Sequence, residues 1–323
     1  MKKQEGIDIQ FPGITIVLPL FNAARYIDQL EKQIDANLSI NDEVIIVDDC
    51  SQDTTLHKLE KWQRKNIKIR VLRNPNKGFV NALNLGVSEA SNEWIARWDQ
   101  DDLYSNERLK IQRKYLTDKN VAVFSDFSFI SSSGKKIGSM QTAITNDATK
   151  LSILSAHRTA HPSAIFSKEA FLAAGGYRNK DFLAEDISLW LRLSRLGNFA
   201  STPNLLLNYR VSPTSMTGTS QKQSYANKDK VLREIKLQEQ IVTNLTKNWS
   251  EVFDLYDCYS FASRRKILLL LDLINASRNN YKINPKLILN ISSRLLTEKH
   301  TVMNISRLYL ERNRRKKARK YKI

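Results

Sequence analysis

Between Ile14 and Phe124, short apolar runs alternate with stretches whose apolar residues recur at helical spacing, and this alternation constrains the fold more than any other feature of the chain. The strand-like runs are Ile14 to Pro19, Asp42 to Asp49, Ile67 to Leu72, Glu93 to Trp98 and Val121 to Phe124. Between them, Tyr26, Ile27, Leu30, Ile34 and Leu38 predict one helix, Leu56, Leu59 and Trp62 a second, Phe79 to Ala90 a third and Glu107 to Leu116 a fourth. Asn22, just after the first strand, is expected to cap the first helix. Asn74-Pro75-Asn76-Lys77-Gly78 reads as a turn. A βαβαβαβαβ order needs crossovers, so the expectation is an α/β, Rossmann-like, mostly parallel sheet flanked by helices on both faces.

The strands end in acids. Asp48 and Asp49 close the second, and Trp98-Asp99-Gln100-Asp101-Asp102 closes the fourth. In open α/β sheets, ligands bind in the crevice outside the carboxyl ends of the strands. Three crowded carboxylates repel one another unless a cation sits among them. Hard ions such as Mn2+ or Mg2+ take one or two carboxylates together with substrate phosphates. A solvated acidic turn is the simpler alternative for this pattern alone.

A boundary shows in the charge. Of the net +18, residues 221–323 carry 23 Lys/Arg against 9 Asp/Glu, which leaves 28 against 24 for residues 1–220. The expectation is therefore a catalytic domain over 1–220 and a basic, helical C-terminal extension over 221–323. Helical spacing at Val231, Ile235, Leu237 and Ile241, and again from Phe261 to Ile274, supports the extension. No stretch reads as a signal peptide or a membrane span. Cys50 and Cys258 form neither a metal-ligand pattern nor a disulfide framework, which is simplest in a cytoplasmic setting.

Ala184 to Leu193 has the spacing of an amphipathic helix with Glu185 and Asp186 in its first turn. The helix dipole favours acids there, and a carboxylate that opens on a cleft can also serve as a general base. Taken in order, Pro19-Leu20-Phe21-Asn22, Val47-Asp48-Asp49-Cys50-Ser51-Gln52-Asp53, Asn76-Lys77-Gly78 with Ala82-Leu83-Asn84, Ala96 to Asp102, Gly175-Gly176-Tyr177 and Glu185 to Leu193 resemble the motifs of family 2 inverting glycosyltransferases with the GT-A fold. The resemblance spans roughly residues 13–217.

The resemblance implies a nucleotide-sugar donor, most often UDP-linked. Pro19 and Phe21 would border the nucleoside, with Asn22, Asp48, Asp49, Asn76 and Gly78 shaping that site. Asn84 and Asp99 would face the ribose or sugar. Asp99, Asp101 and Asp102 would hold Mn2+ or Mg2+ against the diphosphate. Asp186, with Glu185 beside it, would take the proton from the acceptor hydroxyl in a single inverting displacement. His161 and Trp190 would lie on the acceptor side, although His161-Pro162-Ser163 is also ordinary turn chemistry. Relatives often carry a histidine metal ligand after Tyr-Arg, where this chain has Tyr209-Arg210-Val211-Ser212. Trp98, where a smaller residue is more usual, reads as core packing.

Eight cations lie between Arg312 and Lys322, a pattern that a solvated terminus would also give. A basic cluster is attracted to an anionic leaflet at about 1 kcal/mol per Lys or Arg. That suits a peripheral enzyme on the inner face of the cell membrane, and the resemblance implies the acceptor, a polyprenyl-diphosphate-linked glycan in surface polysaccharide synthesis of the O-antigen, lipopolysaccharide or capsule type. A nucleic-acid or polyanion binder is the rival from another class, but the near-neutral 1–220 region shows no RNA-binding motif, so no specific nucleic acid is expected. A metal-dependent nucleotidyltransferase is the rival enzyme. It would more naturally show a glycine-rich phosphate loop near the N-terminus.

Overall fold

The computed structural model describes residues 11–142 and 159–212, with Asn146, Thr149, Ile153 and Asn227 as isolated positions. The predicted C-terminal helices and the basic cluster lie outside the described residues.

The alternation appears as β1 (Ile14–Leu20), α1 (Ile27–Asp35), β2 (Glu43–Asp48), α2 (Thr55–Lys65), β3 (Ile69–Arg73), α3 (Phe79–Ser88) and β4 (Trp94–Arg97). There follow β5 (Leu103–Tyr104), α4 (Arg108–Arg113), β6 (Asn120–Ile130), β7 (Lys136–Met140), β8 (Ile165–Ser167), α5 (Lys168–Ala173), α6 (Glu185–Leu193) and β9 (Asn198–Arg210). The sheet order is β3-β2-β1-β4-β8-β6-β9-β5, with β7 paired to β6. The pairings of β1 with β2 and β4, of β2 with β3, and of β6 with β9 are parallel. Because β8 runs antiparallel to both β4 and β6, those two strands share one direction, so the predicted, mostly parallel α/β sheet is what forms.

β1 is buried throughout its length, which is why it reads as continuous apolar sequence rather than alternation. Its odd and even residues feed two cores. Val17, with Ile45 and Val47 of β2, packs under α3 and α6. Ile14, Ile16 and Leu18 pack with Leu30 and Ile34 of α1, Leu59 and Trp62 of α2 and Leu109 of α4. Trp98 is fully buried in this second core, as expected. Gly86 lets α3 lie close against β1, since a Cβ there would stand 2.5 Å from Val17 Cγ1.

Two expectations are corrected. Asn22 does not cap α1, whose N-cap is Tyr26 without a side-chain bond. Asn22 instead takes a left-handed conformation and joins two loops: its N–H donates to Ser51 Oγ at 2.9 Å, and its Oδ1 accepts from Gln52 N at 2.8 Å. The fifth predicted strand, Val121 to Phe124, continues to Ile130 as β6 and is separated from β4 by β8. Apolar spacing alone misses that continuation because Ser125, Asp126 and Ser128 break it, yet all three are buried. Asp126 accepts from Thr142 N at 2.8 Å and Ser128 bonds Asn208, so their polar atoms are satisfied across the sheet.

Candidate active site

The loops that follow β1, β2, β3 and β4 meet at the carboxyl ends of the strands. Pro19 is buried beside Val47, while Phe21 stands exposed with Lys77 Nζ 5.1 Å from its ring centroid. Asp48 is buried, and one of its oxygens accepts from Ser51 N at 3.2 Å. Asp49 Oδ1 receives two bonds of 2.7 Å, from Asn74 Nδ2 and Gly78 N, which tie the second loop to the third. Gly78 supports this at φ 140°, a conformation that side chains rarely adopt. Asn76 is exposed at the tip of that turn, its carbonyl accepting from Asn81 Nδ2.

The acid loop is held by three clamps. At its start, Arg97 is fully buried and pairs with Asp99 at 2.6 Å; burial lowers the guanidinium pKa, but Asp99, Tyr177 and Tyr104 together overcome it and hold the group above its ordinary value. Gln100 pairs both ends of its amide with the backbone of Phe21, at 3.0 and 3.2 Å. At the far end, Arg210 N donates to Asp102 Oδ1 at 2.7 Å and Arg210 Nε to the Asp101 carbonyl at 2.7 Å. Beneath the loop, Tyr104 stacks on Trp98, its hydroxyl accepts from Asp99 N at 2.6 Å, and Arg108 lies over both rings.

Burial, reinforced by the charge of Asp99, pushes the Asp101 carboxyl up to about 6. Asp102 is buried, with Oδ2 unpartnered, and burial together with its two acidic neighbours raises it well above the carboxylate range. Such strain is what a divalent cation would relieve, and Asp101 with Asp99 suits an ion that completes its shell with phosphates and water. The three acids do not close into a cage. Among the described residues, no three His, Cys, Asp or Glu side chains are placed to hold an ion between them.

The opposite wall is built around Tyr177. Gly175 and Gly176, at φ 77° and 64°, turn the chain so that the Tyr177 backbone N–H and C=O both meet the Asn84 amide at 2.9 Å. A Cβ at Gly176 would stand 3.0 Å from Asn84 Oδ1. Asn84 is thereby committed to the scaffold at both ends of its amide. The Tyr177 hydroxyl lies 2.7 Å from His161 Nε2. Burial, helped by the Arg97 guanidinium, pushes His161 well below its usual pKa, so the ring is neutral. Trp190 is fully buried, edge-on to His161 at 5.8 Å, and so supports this wall from behind.

The two acids that open α6 have different surroundings. Glu185 is buried with Oε2 unpartnered, and burial plus the adjacent Asp186 charge pushes it up to about 8. Asp186 is half-buried, its Oδ1 accepting from Ile187 N at 2.7 Å, which leaves it as the acid able to meet a ligand. Burial pushes the Tyr177 hydroxyl above its usual pKa, Arg97 opposes this, and Glu185, Asp186 and Asp99 add to it. Sequence reasoning assigned no role to Arg97, Tyr177, Gln100 or Arg210. The charged Arg97 inside an apolar strand was a legible signal, whereas the other three act through partners far away in sequence.

Residues 15–172 match the model of glycosyl transferase family 2. An uncharacterized glycosyltransferase of Haemophilus influenzae is 29% identical over 240 residues, covering 69% of this chain and 73% of that protein. The chondroitin synthase of Pasteurella multocida is 26% identical over 201 residues, covering 62% of this chain but 20% of the synthase. Among solved structures, S. aureus TarS 1-349 in complex with UDP-GlcNAc superposes with a TM-score of 0.58 at 17% identity, covering 84% of this chain and 76% of TarS 1-349, a likeness of fold.

Proposed function

Because this chain belongs to glycosyl transferase family 2 through residues 15–172, we propose that it moves a sugar from a nucleotide-sugar donor, UDP-linked, to a hydroxyl of a glycan acceptor, with inversion. The observation that carries the reading is the acid loop at the carboxyl end of β4, clamped by Arg97, Gln100 and Arg210, together with the half-buried Asp186 that opens α6. The UDP-GlcNAc complex of the TarS neighbour supports the donor class, and the polysaccharide synthase among the relatives supports the acceptor class.

In this reading the exposed Phe21, flanked by Lys77, takes the base, and the Asp49–Gly78 tie fixes the loop beside it. Gln100 couples the nucleoside loop to the acid loop, so base binding and diphosphate placement are set together. Asp101 and Asp99 would hold Mn2+ or Mg2+, which when bound neutralises charge on the departing diphosphate. Asp186 accepts the acceptor proton, a role suited to the α6 carboxylate that retains access to a ligand. Glu185, neutral near pH 7, adds no second negative charge beside it. His161, also neutral, keeps Tyr177 in place.

The basic C-terminal region completes the proposal by docking on an anionic membrane surface, where a polyprenyl-diphosphate-linked acceptor would be presented. Among the described residues no helix is long and apolar enough to cross a membrane. Calorimetric titration of UDP, GDP and CMP, with and without Mn2+, tests the donor site. Mn2+-dependent UDP binding is expected, and absence of binding by any nucleotide would overturn it. Truncation after Leu310 is expected to weaken sedimentation with anionic vesicles, and unchanged partitioning would remove the membrane role of the tail.

A further inference from the structure

We propose that Arg210 is the positioning residue of the acid loop, and that its planar fork, rather than its charge, sets how well the loop holds a divalent cation against a nucleoside diphosphate. The inference rests on the donor reading above. Arg210 is the last residue of β9, and its side chain reaches three main-chain carbonyls on two loops. Nε donates to the Asp101 carbonyl at 2.7 Å, while Nη1 donates to the carbonyls of Ser132 at 2.8 Å and Ser131 at 3.1 Å. Its own N–H fixes Asp102 Oδ1 at 2.7 Å.

The Ser131–Ser132 end is a firm anchor. Ser131 N donates to the Lys135 carbonyl at 2.8 Å and Gly134 N to the Ser131 carbonyl at 2.9 Å, so the turn between β6 and β7 is closed on itself. Asp101 is thus tied through one guanidinium to a closed turn and to the end of the 13-residue β9. From the other side, Gln100 ties the same loop to Phe21. The loop is therefore held between two clamps, one toward the nucleoside loop and one toward β9. A lysine at 210 would keep a cation near Asp101, but an ammonium lacks the fixed fork that spans carbonyls from two loops.

Hydrogen exchange and nucleotide titration on Arg210→Ala and Arg210→Lys test this. In both variants the amides of residues 99–104 and 131–134 should exchange at least about tenfold faster, with β1 and β2 unchanged. The Mn2+-dependent gain in UDP affinity should fall about tenfold in both, with metal-free UDP affinity within about twofold of the parent, a size typical of lost outer-shell support. Unchanged loop exchange, or full restoration by lysine, would overturn the proposal, as would an equal loss of metal-free and metal-dependent binding. If the parent protein shows no Mn2+-dependent UDP binding, the donor reading fails, and the exchange data alone judge the clamp. If the alanine variant does not fold, the lysine variant carries the same measurements.

Discussion

In the half of the molecule built from β1 to β4, the polar side chains of the site lie within a few residues of a strand end, and their partners come from neighbouring loops. Asp49 bonding Gly78 N and Gln100 bonding Phe21 are examples. In the half built from residues 159–212, the working groups are buried and bond one another or a helix of the first half, as in His161 with Tyr177 and Tyr177 with Asn84. The first half offers open main-chain and aromatic surface suited to a nucleotide. The second holds neutral His161 and Glu185 behind a half-buried Asp186. Under the proposed function, the contrast corresponds to a division of labour in which the first half binds and the second half reacts.

The largest effect expected is on reaction without binding. Asp186→Asn should lower turnover by about 10²–10⁴ while UDP affinity stays near the parent value. Steady-state rates and calorimetry on the same preparation check this, and equal loss of binding and turnover would break the division.

Asp101→Ala is the mirror experiment. It should remove the Mn2+-dependent gain in UDP affinity, on the order of tenfold or more, and should leave the thermal stability of the fold nearly untouched. Retention of the full metal effect would assign the ion to other groups.

The smallest effect sharpens the electrostatic side of the comparison. Folded Glu185 holds its proton up to about pH 8, whereas the unfolded chain releases it near the ordinary value of 4.5. In that window the native state holds the Glu185 proton and the unfolded chain does not, so the contribution of this group to stability declines as pH rises from about 4.5 to about 8 and is level outside. Glu185→Gln should flatten this decline. Denaturant midpoints measured at several pH values would show it, and parallel profiles for parent and variant would place Glu185 in a wetter site than the structure gives.

Acids flank both ends of β2, and they show why a motif needs a place in the fold. Asp42, before the strand, is fully consumed by Arg113, with bonds of 2.7 and 2.9 Å, and by Ile14 N. Asp48, its last residue, and Asp49, just after it, face the loops of the site. The rule that ligands meet the carboxyl ends of strands separates the two cases from sequence alone. No such rule distinguishes Asp102 from Asp101, because what commits Asp102 is Arg210, more than a hundred residues away.

Local pattern determined the parallel core, the helices that cover it and the acids at the strand ends, since the spacing of apolar residues and the polarity of strand termini are properties of short segments. Tertiary structure alone decided that β8 enters between β4 and β6, that Asn84 serves the backbone of Tyr177, and that the acid loop is clamped by Gln100 and Arg210. Those outcomes depend on which distant groups satisfy each buried donor and acceptor. That requirement acts only once the chain has closed, and it leaves no periodic trace in the sequence.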